Sequence, residues 1–243
     1  MAHTKRSIAL LLLSFALPAL LMGCAGARSE EKIKQATAHY QLGVSYLNDN
    51  NIQPAYVEFQ KALELNPNDK EVLNALGLIN LLKLEDYPKA IDYFTRALKV
   101  DRNYSEASNN LGFAYEKAGK YREAVEAYQT ALSSPVYRNA EKAFNNLGRA
   151  YYRMRMYPEA VDKYKESLRR FSDFPPPYYG LALCYNAMGK YDIAATSLKR
   201  AIELDPEFKG DRGKFVTEMK SRKLLAKGED EQDIDDLLEI LKY

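Results

Sequence analysis

The stretch LGFAYEKAGKYREAVEAYQTAL at residues 111–132 decides the fold. Leu111, Gly112 and Tyr115 lie one, three and four apart, the spacing of a single helical face. Gly119 interrupts that pattern, and a second one runs through Tyr121, Ala124, Tyr128 and Ala131. The same marks recur along the chain. A small residue returns at Gly43, Gly77, Gly112, Gly148 and Ala182. Ala55, Ala90, Ala124, Ala160 and Ala194 follow at steps of 35, 34, 36 and 34, and Ala62, Ala97, Ala131, Ser167 and Ala201 keep those steps. A period of this size marks stacked units, each too small to bury its own apolar face. Every unit reads as two helices, so the class is all-α.

Small residues at these positions let two helices cross closely, and the aromatics beside them fill the remaining space. Pro54, Pro88 and Pro158 fall in the first turn of the second helices, where a missing N–H costs little. Asn66-Pro67-Asn68 ends the first unit. Residue by residue, the pattern resembles the tetratricopeptide repeat, which implies a right-handed superhelix of helix pairs. Five repeats are expected over 36–208, at about 36–69, 70–104, 105–140, 141–174 and 175–208. The second carries an extra residue in the Leu84-Glu85-Asp86-Tyr87 turn, the third is lengthened at 133–139, and Pro175-Pro176-Pro177 makes a stiff entry to the fifth.

Residues 1–23 stand apart from the repeats. Lys5-Arg6 precede an apolar run from Ile8 to Met22, too short for an ordinary spanning helix and the form of an export leader. The run ends in Leu21-Met22-Gly23-Cys24, which resembles the bacterial lipobox. That resemblance implies cleavage before Cys24 and a lipid anchor on it; the plainer reading is a secretory leader with an incidental cysteine. Three acyl chains would exceed what stable anchoring needs. Ala25, where an Asp would favour inner-membrane retention, implies the periplasmic face of the outer membrane. Residues 24–35 then form a short tether, with a helix able to start before Ala36.

The composition is that of a globular chain, 47% hydrophobic and 28% charged, with 19 tyrosines and no tryptophan. Without Lys5 and Arg6 the basic residues fall from 35 to 33 and balance the 33 acids. A neutral chain lacks the basic footprint of sequence-independent nucleic-acid binding. After cleavage His39 is the only histidine and Cys184 the only thiol, so the sequence offers neither a zinc cluster nor a Cys/His pair. Cys184 reads as a small buried hydrophobe. No glycine-rich phosphate loop appears. The expectation is a binding protein without enzyme activity, cofactor, metal or small-molecule substrate.

In tetratricopeptide solenoids the first helices line the concave side. Positions three before, one after and four after each small mark share one helical face. They select Tyr40, Val44 and Leu47; Asn74, Leu78 and Leu81; Asn109, Phe113 and Glu116; Asn145, Arg149 and Tyr152; and Tyr179, Leu183 and Asn186. Val44, Leu47, Leu78 and Leu81 make an apolar patch, which either anchors a partner or lies under residues 28–35. Asn74, Asn109 and Asn145 make a ladder of amides, either a rail for a peptide backbone or ordinary polar surface.

From about Lys209 the repeat is lost. Residues 209–243 carry a basic helical stretch and then an acidic one with Ile234, Leu237, Leu238 and Leu241 at helical spacing. They read as a cap on the last repeat, or else as a docking helix for a partner.

A lipobox leader running straight into such repeats resembles the type IV pilus biogenesis lipoproteins, the secretin pilotins. Ala131-Leu132-Ser133-Ser134-Pro135-Val136-Tyr137 is similar to a stretch of that family at its own elongated repeat. The resemblance implies an outer-membrane secretin subunit as protein partner. The other lipoprotein adaptors it leaves open serve polysaccharide export, outer-membrane protein assembly or murein hydrolase control.

Overall fold

The computed structural model describes residues 30–243, and all regular structure among them is helical. The leader, Cys24 and the tether as far as 29 lie outside the described residues. The chain divides after Glu85 into two compact units, a boundary inside the second repeat at its lengthened turn. Glu85 there has a left-handed backbone, φ 53°.

The unit up to Glu85 holds α1 (30–48), α2 (Ile52–Leu65) and α3 (Lys70–Leu82). Residues 30–35 continue α1 as an exposed helical extension, and burial begins at Ala36. The Phe59 ring fills the space that the absent side chain of Gly43 leaves; a Cβ on Gly43 would stand 2.7 Å from it. Asp69 caps α3 by accepting from the Val72 N–H at 3.0 Å.

The unit from Asp86 holds α4 (Tyr87–Val100), α5 (Ser105–Lys117), α6 (Tyr121–Leu132), α7 (Ala140–Arg153) and α8 (Tyr157–Arg170). It continues with α9 (Pro175–Ala187), α10 (Tyr191–Leu204), α11 (Arg212–Lys223) and α12 (Glu229–Ile240). Within it α5 packs on α6, α7 on α8 and α9 on α10, and each pair packs on the next. The crossings follow the rule seen at Gly43: a Cβ on Gly112 would meet the Tyr128 ring at 2.6 Å, and one on Gly148 the Tyr164 ring at 2.8 Å. Tyr164 also fills the space beside Gly180, so one ring serves two helix contacts. The three prolines before the fifth repeat are not a stiff approach to α9. They are its first turn, where the helix makes no use of their missing N–H groups.

The turns inside the repeats share a device. Asn50, Glu85, Gly119, Arg155 and Gly189 all have φ between 53° and 73°, the left-handed conformation that reverses the chain after a helix. Glycine meets that need at two of these turns; elsewhere the side chain tolerates it at some cost. In the long junction between α6 and α7, Tyr137 turns inward against Ala131 and Ala143, whereas Val136 points outward.

Past α10 the chain closes its own end. Phe215 and Met219 of α11, with Leu237 and Ile240 of α12, join Leu183, Leu198, Ile202 and Phe208 in one apolar cluster. The tail therefore caps the last repeat. Cys184 is fully buried, and burial pushes its thiol up to about 12.

Candidate protein-binding groove

In the unit up to Glu85, Tyr40, Val44, Leu47, Asn74 and Leu78, the residues expected on the inner face, are all half-buried. The Tyr40 ring meets Phe59 with centroids 5.6 Å apart. Its hydroxyl is raised above the usual range by burial, then by the nearby carboxylates Glu71 and Asp69. Leu81 is a correction: at 3% exposure it is core, not an accessible anchor. Past its first turn α3 is apolar at most positions, Asn74 and Asn80 apart, so a position counted from Gly77 does not separate lining from core. On α1 and α2, His39 pairs through Nδ1 with Glu58 Oε2 at 2.6 Å, while Lys61 donates to Oε1 at 2.7 Å. These bonds, Lys61 first, hold the Glu58 carboxyl below its ordinary range.

In the unit from Asp86, the expected inner-face residues come together, but much of the face is already engaged. Arg149 donates to Glu116 with both arms of its fork, Nε to Oε1 at 2.5 Å and Nη2 to Oε2 at 3.1 Å. Tyr128 donates to the same carboxylate at 3.0 Å, and Arg149 lies over the Phe113 ring. Burial works against the Arg149 charge, yet Glu116 overrides it and holds the guanidinium protonated. The amide ladder is shifted by one residue. Asn146 Nδ2 donates to Asn109 Oδ1 at 3.2 Å, whereas Asn145 is buried.

The tail occupies the next stretch of this face. Tyr152 donates to Asp233 at 2.9 Å, and Tyr121 donates to Glu229 at 2.8 Å. Arg153 lies 2.7 Å from Asp233, 2.8 Å from Asp230 and 3.6 Å from Glu229. Its side chain is only 11% exposed. Burial followed by Glu229 pushes the Tyr121 hydroxyl up to about 12, and burial followed by Asp233 raises Tyr152 further. Further along, Tyr179 stacks on Phe215, donates to Asp205 at 3.0 Å, and Leu183 lies in the end cluster. Tyr152, Tyr179 and Leu183 are thus contacts of the chain's own tail rather than open groove. The repeat register identified neither Arg153 nor Tyr121. The opposite charges of Arg153 and of Glu229-Asp230 were the one signal available.

Models of the tetratricopeptide repeat match residues 36–69, 71–134, 104–173 and 175–208. The chain belongs to the tetratricopeptide repeat family. Over 134 residues this tetratricopeptide repeat protein is 31% identical to the type IV pilus assembly protein PilF of Pseudomonas aeruginosa, 51% of this chain and 52% of that one. Over 75 residues it is 36% identical to anaphase-promoting complex subunit 3 of Schizosaccharomyces pombe, 31% of this chain and 11% of that one. The chain therefore spans about half or less of the length of these relatives. The solved structure of PilW, described as a widely conserved type IV pilus biogenesis factor, superposes with a TM-score of 0.67 at 21% identity. It covers 85% of this chain and 93% of its own, a likeness of fold. Tetratricopeptide repeats bind protein partners, and this chain has the scaffold for that role. Among the described residues no helix is long and apolar enough to cross a membrane, and no group of three or more His, Cys, Asp or Glu is placed to hold a metal.

Proposed function

We propose that this chain is a lipid-anchored scaffold that binds a secretin subunit during type IV pilus assembly, at the periplasmic face of the outer membrane. The observation that carries the reading is a conjunction. Leu21-Met22-Gly23-Cys24, with the form of a lipobox, precedes repeats that are 31% identical to PilF over 134 residues. The PilW-like fold supports the same reading. Such a protein performs no bond chemistry. It holds an apolar segment of its client against the inner face of the first repeats, at Val44, Leu47 and Leu78. The anchor confines the encounter to a surface and so raises the effective concentration of the pair.

The test is crosslinking followed by pull-down from envelope membranes, with the lipidated protein as bait and mass spectrometry as readout. A secretin is expected among the products. Val44→Glu/Leu78→Glu, both at half-buried positions, is expected to lose it while helicity is retained. Recovery of other envelope machinery without a secretin contradicts the pilus assignment.

A further inference from the structure

We propose that the inner face of α5 to α9 is a receptor for an amphipathic helix with an acidic N-terminal turn, supplied by a partner protein, and that α12 is the chain's own shorter stand-in. The inference goes beyond the scaffold reading: it concerns a second surface, separate from the first-repeat positions Val44, Leu47 and Leu78. The occupant on the page sets that chemistry. Glu229, Asp230 and Asp233 meet Tyr121, Tyr152 and Arg153, while Leu237 and Ile240 enter an apolar cluster two turns later. Acidic residues also suit the first turn of a helix, where the unpaired N–H groups concentrate positive charge.

The resident helix ends before the face does. α12 begins after Gly228, whose φ of 61° breaks the helix and whose position offers no side-chain cap. Beside its N-terminal end lies a cleft of about 500 Å³ lined by Phe113 and the cations of Lys117, Arg149 and Lys227, with the carboxylates of Glu116, Glu229 and Asp230 already on its wall. Lys117 stands over the Phe113 ring at 5.5 Å, and among the described residues it has no carboxylate partner. A helix one turn longer at its N-terminus would place an acid there as well as on Arg153. The first two turns of α12 are held by the polar contacts named above, by Lys223 on Asp235 and by the partly buried Ile234, whereas its last turns carry the fully packed Leu237 and Ile240. The first two turns can therefore unwind for a partner while the end of the solenoid stays closed.

The probe is a fluorescein-labelled peptide of residues 228–243, titrated against the full chain and read by anisotropy. Asp230→Asn/Asp233→Asn in the chain is expected to raise affinity for the peptide at least tenfold over the unmodified protein. Adding Arg153→Glu is expected to remove that gain, and a peptide with Lys at its acidic positions is expected not to bind. The milder Glu229→Gln/Asp230→Asn, at side chains 58% and 73% exposed, should raise affinity at least threefold without disturbing the fold. Equal affinity for the unmodified and substituted chains, or a gain that survives Arg153→Glu, overturns the proposal. The assay contains no secretin, so its outcome is separate from that of the pull-down.

Discussion

Arg153, in the last turn of α7, and Asp233, in the second turn of α12, are joined at 2.7 Å although eighty residues separate them. This pair ties the fourth repeat to a tail that has left the repeat pattern. Arg153→Ala should lower stability by about 1–3 kcal/mol, because it leaves the partly buried Asp233 without a cation and only the Tyr152 hydroxyl as partner. In a double-mutant cycle with Asp233→Asn the two changes should be non-additive by about 1 kcal/mol, read by urea unfolding. Additive losses would mean that the pair is not coupled.

The fork between Arg149 and Glu116 makes a sharper distinction. Glu116 is 9% exposed, so Glu116→Ala leaves a guanidinium with no carboxylate and should cost about 1–3 kcal/mol, discounted for the partial exposure of Arg149. The paired change Glu116→Leu/Arg149→Leu should recover most of that loss. Thermal unfolding of the three variants decides the matter.

Close helix crossing predicts that Gly112→Ala is harmful although alanine is the better helix former. Its Cβ would arrive 2.6 Å from the Tyr128 ring, so the ring must move. A loss of about 1–3 kcal/mol is expected. Gly119→Ala, which meets nothing but sits at φ 73°, should cost about 1 kcal/mol for strain alone.

The same turn conformation offers a gain. Arg155 holds φ 60° where the neighbouring repeats use glycine, so Arg155→Gly should raise stability by about 1 kcal/mol. Unchanged or lower stability in chemical denaturation would count against the strain.

Glu58 carries a pH dependence. Its carboxyl is held low, chiefly by Lys61 and then by His39, so its contribution is complete above the unfolded-state value near pH 4.3. It is lost as pH falls through the lower folded value. Glu58→Gln should therefore be less stable at neutral pH, and its stability should fall less between about pH 5 and 3. Parallel stability curves for the two proteins would exclude the effect.

What the sequence made legible was whatever recurs. Gly43, Gly112 and Gly148 stand opposite Phe59, Tyr128 and Tyr164 because each repeat solves the same packing problem, and the period reports that solution directly. Leu81 was misplaced because the second half of α3 is apolar at nearly every position, so its sequence does not mark which side is groove. Asn145 was misplaced because adjacent helices meet with an offset, which brings Asn146 and not Asn145 to Asn109. The docking of α12 was hidden for a different reason. Arg153 and Asp233 belong to no shared period, and only the folded chain brings them together. A capping role was readable from Ile234, Leu237, Leu238 and Leu241, but the polar reach of Glu229 to Asp233 along the inner face was not.

The most direct test of this account is hydrogen–deuterium exchange on the full chain, followed peptide by peptide. Amides of 232–240 should be protected in the unmodified protein. Arg153→Glu should abolish protection in the first two turns of α12 and leave α7, α8 and α9 unchanged. Exchange of α12 at the rate of an unfolded chain in the unmodified protein would contradict the claim that the tail occupies the groove.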